Sequence, residues 1–255
     1  MIELKQAEKL YGKAAELKDP ARRAALPGLH ETTLSIPEGQ VVGILGDNGA
    51  GKSTLLQAVA GLLPLTAGRI TIGGKASAAS YGSLAYVTGE GSCMPRLTPV
   101  QYGDFLAEMV PAFDRAYYEK LLQFFQLPEK RRICTLSTGQ RGRVEVAAGL
   151  ARRAKVLLLD EPFLGKDIFT RQDFVRLLSA TLSGGETVLI TTHQVEEIEM
   201  LLDRAVILHE GRVTADWLLD DLRTQGLRLT EAMRSAVGYD PRRYEMLLEN
   251  AARQP

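Results

Sequence analysis

Short apolar segments rich in β-branched residues alternate with segments of helical periodicity along most of the chain. The clearest apolar segments are residues 41–45, 156–159 and 187–191. Helical patterns follow from Ser53 and from Gln194, and the first of them ends at Gly61 and Pro64, which are common stop signals. This alternation predicts βαβ units and therefore a parallel sheet.

The strand pattern is interrupted between about residues 98 and 153, where helical patterns dominate, for example at 100–109 and 117–125. An interruption of this kind indicates that helices are inserted between two strands of the sheet. We therefore predict a helical subdomain at about residues 90–154 within the sheet domain.

The C-terminal part of the chain reads as a hairpin followed by helices. Gly211 is expected to close the hairpin, and the apolar positions within 217–222 and 244–248 have amphipathic helical spacing. We expect a main domain at residues 1–225 and a helical tail at 226–255 that packs against it.

Composition and charge narrow the classes of function. The chain has 255 residues, of which 45% are hydrophobic, and 31 basic residues balance 31 acidic ones. A zero formal charge provides no overall positive field, so we predict no nucleic-acid partner. No apolar run reaches the roughly 18 residues that span a bilayer, and no secretory signal is evident, so a cytoplasmic location is expected.

Cys93 and Cys134 are isolated and are expected to be buried or half-buried apolar residues.

Residues 46–53 read Gly-Asp-Asn-Gly-Ala-Gly-Lys-Ser and match a phosphate-binding loop between a strand and a helix. The candidate nucleotide-binding residues are Gly46, Asp47, Asn48, Gly49, Ala50, Gly51, Lys52, Ser53 and Thr54. Lys52 is expected between the β- and γ-phosphates, and the Ser53 hydroxyl is expected on Mg²⁺. The alternative is a glycine-rich turn with an exposed lysine.

Polar residues end two further strands. Asp160 and Glu161 follow the apolar segment 156–159, and His193 follows 187–191. At the rim of a parallel sheet Asp160 would hold Mg²⁺ or its waters, Glu161 would polarise the attacking water, and His193 would orient or stabilise charge. The alternative for Glu161 and His193 is a solvated strand end.

Residues 136–140, Leu-Ser-Thr-Gly-Gln, resemble the LSGGQ signature of the ABC (ATP-binding cassette) ATPases, and we call them the signature. The resemblance implies an α/β P-loop NTPase with a mostly parallel sheet, an N-terminal antiparallel β portion and an inserted helical subdomain. It also implies that ATP and Mg²⁺ are bound, and that Ser137, Gly139 and Gln140 act on the ATP of a second cassette across a dimer. Tyr11 looks like the aromatic residue that stacks on adenine, and Asp167 like the acid of the D-loop.

The chain departs from the family pattern at several positions. Thr138 stands where the signature usually has glycine, and Lys166 stands where an apolar residue is usual. Gly89 occupies the position of the Q-loop glutamine, which leaves the neighbouring Glu90 as a candidate Mg²⁺ ligand. Extra length around residues 16–29 is expected to form a longer surface hairpin.

The stretch 94–100 resembles cassettes of bacterial exporters of the ABC-2 kind. Together with the signature, this resemblance implies an ATP-hydrolysing subunit that energises an ABC membrane transporter, an exporter, through ATP-dependent dimerisation of identical or different cassettes. Its partners would be separate membrane-spanning permease subunits, and its place the inner face of the cell membrane. The alternatives are a soluble ABC ATPase of translation or DNA repair and a regulatory nucleotide-binding module. One phosphate loop and a short helical region favour transport.

Overall fold

The computed structural model describes residues 1–88, 93–162 and 168–238. Its strands are β1 (Ile2–Leu10), β2 (Gly28–Ile36), β3 (Val41–Leu45), β4 (Ala67–Ile72), β5 (Lys75–Ala76), β6 (Leu84–Thr88), β7 (Val156–Asp160), β8 (Thr187–Thr191), β9 (Arg204–His209) and β10 (Arg212–Leu218). Its α-helices are α1 (Ala14–Lys18), α2 (Pro20–Arg23), α3 (Lys52–Val59), α4 (Pro99–Met109), α5 (Arg115–Phe124), α6 (Thr138–Ala151), α7 (Ile168–Thr181), α8 (Val195–Ile198), α9 (Leu219–Thr224) and α10 (Leu229–Ala236).

The strands form two sheets. The smaller one is antiparallel with the order β2-β1-β4-β5, and the larger one has the order β10-β9-β3-β8-β7-β6. In the larger sheet β9, β3, β8, β7 and β6 are parallel, and only β10 runs antiparallel to its neighbour. The predicted architecture, a mostly parallel sheet with an antiparallel N-terminal portion, is confirmed.

The larger sheet separates two hydrophobic clusters. Leu157 and Leu159 of β7 belong to one cluster and Leu158 to the other, because successive side chains of a strand point to opposite faces. The first cluster includes residues of α4, α5 and α6, whereas the second joins the larger sheet to α3 and to the smaller sheet. The carboxyl ends of β3, β7 and β8 lie side by side at the same end of the larger sheet, because these strands are parallel neighbours.

The helical patterns predicted at 100–109 and 117–125 correspond to α4 and α5. Thr98 caps α4 by accepting a hydrogen bond from the Gln101 amide, with Pro99 in the first helical position. These local signals explain why the start of α4 is readable from the sequence.

The helix α6 packs closely on β6 because one of its residues is glycine. A Cβ placed on Gly149 would lie 2.2 Å from Cγ2 of Val87, which is far inside van der Waals contact. Valine has a stiff side chain and cannot turn away at low cost. The helix and the strand can therefore approach only with glycine at this position.

We expect Gly149→Ala to lower the free energy of unfolding by about 1–3 kcal/mol, the usual cost of overpacking a core. Denaturant unfolding of the purified protein measures it. Gly82→Ala is the control, since a Cβ on Gly82 meets nothing within 4 Å and its backbone does not have a positive φ. Equal stability of the two variants would contradict this account of the packing.

The helix predicted from Gln194 is present as α8, which is one turn long, has Gln194 as its N-cap and is followed by a 3-10 turn at Glu199–Leu201. The helix predicted at 217–222 is wrong at its start. Trp217 and Leu218 belong to β10 and not to a helix, because they pair with Ala205 and Arg204 of β9. The hairpin at Gly211 is confirmed.

The segment between β1 and β2 contains α1 and α2, so the predicted hairpin carries two short helices, and Arg23 of α2 pairs with Glu8 of β1.

In the C-terminal part of the chain, Leu229 and Ala232 of α10 are buried in the first cluster. Cys93 is buried, and burial raises the pKa of its thiol to about 12, whereas Cys134 is exposed, contrary to expectation.

Candidate functional site

The loop at residues 46–53 has a backbone that only glycine adopts easily. Gly46 has φ 146°, and a Cβ there would lie 2.1 Å from the carbonyl oxygen of Leu208. Gly51 has φ 98° and directly precedes α3, so it is the N-cap of that helix. The loop therefore leaves β3 and opens α3, as the sequence predicts.

Lys52 is the first residue of α3 and is buried, with 6% of its surface exposed. Its Nζ donates to the carbonyl oxygens of Gly46 at 2.8 Å and Asp47 at 3.1 Å, and lies 3.9 Å from Oε1 of Glu161. The ammonium group is thus held inside the curve of the loop. The reading of an exposed lysine on a glycine-rich turn is wrong.

Three hydroxyl groups hold the carboxylate of Asp160 at the end of β7. Ser53 Oγ donates to Oδ1 at 3.0 Å, Thr191 Oγ1 donates to Oδ1 at 2.7 Å, and the Tyr86 hydroxyl donates to Oδ2 at 2.8 Å. Burial, and then the charge of Asp160, raise the pKa of the Tyr86 phenol above its ordinary value, so it remains a donor. The orientation of this carboxylate is therefore set from both sides.

Glu161 follows Asp160 and has a positive φ of 47°, a backbone conformation that residues other than glycine rarely adopt. Its amide donates to Thr191 Oγ1 at 2.9 Å and to the Thr191 carbonyl oxygen at 3.2 Å. Its Oε2 lies 3.1 Å from Nδ1 of His193, whose side chain is about half exposed, at 48%. The two predicted catalytic side chains are brought together.

A cavity of about 280 Å³ lies over the loop. Its lining residues are Tyr11, Pro27, Gly28, Asn48, Gly49, Gly51, Lys52, Ser53, Thr54 and Glu161. The ring of Tyr11 is exposed, and its centroid lies 5.4 Å from Nζ of Lys9. Tyr11 and the loop thus share one concave surface, although they are far apart in the sequence.

The signature begins α6 and forms a helix cap. Ser137 Oγ accepts from the Gln140 amide at 3.2 Å, and Gln140 Oε1 accepts from the Ser137 amide at 3.0 Å. Leu136 is buried, while Ser137 and Thr138 are exposed and Gly139 is partly exposed. Among the described residues that line the cavity over the loop, none comes from the signature.

The oxygen donors at the sheet edge fit Mg²⁺. Ser53 and Asp160 present a hydroxyl and a carboxylate within 3.0 Å of each other, which is the kind of ligand that this ion prefers. Glu90, the third predicted ligand, lies outside the described residues, as do Gly89, Lys166 and Asp167.

Tyr86 and Thr191 are the site residues that sequence reasoning missed. Thr191 could have been found, because it ends the strand that precedes His193. Tyr86 gave no signal, since an aromatic residue in a half-buried strand is usually a packing residue. In the described part of the chain, no helix has the length and apolar character needed to cross a membrane.

Comparison with known proteins identifies the family. The ABC transporter family model matches residues 29–164. The linearmycin resistance ATP-binding protein LnrL of Bacillus subtilis (strain 168) is 31% identical, over 87% of this chain and 70% of its own length. The taurine import ATP-binding protein TauB of Burkholderia pseudomallei (strain 1710b) is 33% identical over 94% of both chains. The dimeric structure of MJ0796, a bacterial ABC transporter cassette, has a TM-score of 0.73 and 25% identity, over 86% of this chain and 99% of that one. Because the family model covers more than half of the sequence, the chain belongs to the ABC transporter family, as an ATP-binding subunit with ATPase activity.

Proposed function

We propose that this subunit binds ATP with Mg²⁺ at the loop 46–54, closes on a second cassette and so drives separate permease subunits at the inner face of the membrane. The observation that carries the proposal is the meeting of five side chains at one sheet edge. They are Lys52, Ser53, Asp160, Glu161 and His193. No two of them lie on the same helix or strand except Lys52 and Ser53, so the fold has assembled the site.

Charge placement at the loop suits a polyphosphate. Lys52 can exchange its hydrogen bonds with loop carbonyls for phosphate oxygens, and the amides at the start of α3 add the positive end of the helix dipole. Ser53 and Asp160 would hold Mg²⁺. The bound ion would neutralise charge on the β- and γ-phosphates.

Glu161 and His193 are suited to act on the attacking water. Glu161 would accept the proton, since its carboxylate lies at the mouth of the loop, 3.9 Å from Lys52 Nζ. His193 would hold the Glu161 side chain in place through the contact at 3.1 Å and would reach the γ-phosphate.

Tyr11 would stack on the adenine ring, because it lines the same cavity as the loop. We expect Tyr11→Ala to raise the dissociation constant for ATP about 5- to 100-fold, the range for loss of stacking on one base. Tyr11→Phe is the control, since it keeps the ring and should bind as the wild type does. Isothermal titration with each variant measures the effect. Equal affinities of all three proteins would remove Tyr11 from the site.

The signature would act on the nucleotide of a second cassette. Ser137 and Thr138 are exposed at the start of α6, where amides and the helix dipole favour an anion, yet they do not line the cavity of their own subunit. The dimeric state of the related bacterial cassette supports this arrangement.

We propose outward transport, on the resemblance of residues 94–100 to ABC-2 exporters and on the similarity to LnrL, a resistance protein. Inward transport is the second candidate, because the similarity to TauB, an import protein, is as high.

Purification of the tagged subunit from detergent-solubilised membranes tests the function. We expect a membrane-spanning permease to copurify and to raise the ATPase rate, and mass spectrometry identifies both it and the second cassette. Reconstitution of that complex in vesicles then measures the direction in which ATP moves cargo. Full ATPase activity with no membrane partner would favour a soluble ABC ATPase, and ATP binding without turnover would favour a regulatory module.

A further inference from the structure

A buried carboxylate connects the signature helix to the strand beside the nucleotide site. Glu145 lies in α6, two turns after Ser137, and only 5% of it is exposed. Its Oε1 accepts from the Thr88 amide at 2.9 Å, and Thr88 Oγ1 lies 3.0 Å from Oε1 and 3.1 Å from Oε2. Burial of a carboxylate is costly unless it is well hydrogen-bonded, so this contact is specific and not merely space-filling.

The same helix face makes a second contact with β6. Gly149 follows Glu145 by four residues and packs against Val87, the residue before Thr88. Residues four apart lie on one face of a helix, so Glu145 and Gly149 attach two successive turns of α6 to the end of one strand. Because one contact is polar and the other is tightly packed, α6 cannot slide along β6 without losing both.

The end of β6 lies beside Asp160. Thr88 is paired in register with Asp160 of β7, and Tyr86, two residues earlier, donates its hydroxyl to the Asp160 carboxylate. Ser53 of α3 donates to the other oxygen of that carboxylate. An unbroken series of contacts therefore runs from the nucleotide loop through Asp160, β6 and Glu145 to α6.

We propose that Glu145 is a positioning residue that ties α6 to the end of β6, so that nucleotide binding at Lys52 is transmitted to Ser137 and Gly139 of the same subunit. Nucleotide in the loop must change the hydrogen bonds of Ser53 and Asp160, which now bond to each other. The strand beside Asp160 responds, and Glu145 carries the change to the helix. The inference rests on the proposed function, because only there does the signature have a nucleotide to act on.

Amide hydrogen exchange tests the transmission directly. With Mg²⁺ and the non-hydrolysable analogue AMP-PNP, we expect slower exchange in both α3 and the first two turns of α6 of the wild type. In Glu145→Gln, α3 should be slowed as before, while the change in α6 is lost. Equal responses of α6 in the two proteins, or no response of α6 in the wild type, would overturn the inference. Absence of a response in α3 would instead contradict ATP binding at the loop.

Steady-state kinetics gives an independent readout. We expect Glu145→Gln to lower kcat about tenfold with KM for ATP within about twofold, since the Thr88 amide and hydroxyl then bond to a neutral amide and no longer to a charged carboxylate, away from the loop. Thr88→Val, which removes the hydroxyl and keeps the amide, should give a smaller loss, and Thr88→Ser should restore the wild-type rate. The double variant Thr88→Val with Glu145→Gln should be no slower than Glu145→Gln alone.

A variant of the core serves as the matched control. Leu178→Val shortens a fully buried side chain of α7 that is not part of this series of contacts, and it should leave both kcat and the response of α6 unchanged. If Glu145→Gln does not fold, Thr88→Val with Thr88→Ser carries the same comparison. A loss of activity in Leu178→Val equal to that in the Glu145 or Thr88 variants would show a general effect of stability and would refute the proposal.

Discussion

Glu161→Gln is expected to bind ATP as tightly as the wild type and to hydrolyse it about 10²–10⁴-fold more slowly, the scale for loss of a general base. Glutamine has the same shape as glutamate, and the backbone of residue 161 is held by its amide, which donates to Thr191 whatever the side chain is. The substitution therefore removes the proton acceptor and keeps the position of the side chain. With hydrolysis blocked, an ATP-bound dimer should accumulate.

Three measurements check this result. Phosphate release gives the hydrolysis rate, equilibrium binding gives the affinity for ATP, and size-exclusion chromatography with ATP and Mg²⁺ detects the dimer. Glu196→Gln is the matched control, because Glu196 is an exposed acid of α8 close to His193 in the sequence. It should retain the wild-type rate. A rate for Glu161→Gln within a few fold of the wild type would show that another group accepts the proton.

Lys52→Ala should weaken ATP binding about 10²–10³-fold, the usual cost of removing one partner of a buried charged pair. The triphosphate would keep its charge, while the one lysine held within the curve of the loop would be gone. Lys52 Nζ lies 3.9 Å from Glu161 Oε1, so the substitution also removes a positive charge that would offset this carboxylate beside the phosphates. Both effects act against the nucleotide.

Titration with ATP and a thermal unfolding curve separate loss of binding from loss of fold. Lys75→Ala is the control, since Lys75 is an exposed lysine of β5, outside the cavity over the loop. Unchanged affinity of Lys52→Ala would show that the loop does not hold the phosphates. A large fall in stability shared by both variants would point to a general effect.

Local signals explain the parts of the fold that were predictable. The loop 46–53 combines an apolar strand, glycines and a helix start within a short segment, so its structure could be read directly. The helix α4 has its cap, its first-turn proline and its apolar spacing in consecutive residues. Trp217 and Leu218 were assigned wrongly because their state depends on pairing with β9, which periodicity within 217–222 does not report.

In the candidate site too, some features could be predicted from the sequence and others depend on tertiary contacts. The sequence by itself determined the chemical groups, since Lys52, Asp160, Glu161 and His193 each stand directly after an apolar segment or within a recognisable loop. It also determined that parallel strands would bring their ends to one edge. Which oxygen of Asp160 each hydroxyl occupies was not accessible, because the donors come from three different segments.

Only the tertiary structure decided the roles of Tyr86 and Glu145. Tyr86 reaches Asp160 across a pair of neighbouring strands, and Glu145 reaches Thr88 from a helix 57 residues further along the chain. A tyrosine in a strand and a glutamate in a helix have no local pattern that distinguishes them from packing or solvated residues. Their hydrogen bonds exist because the sheet register and the close approach of α6 at Gly149 place the partners within reach, and those are properties of the packed chain.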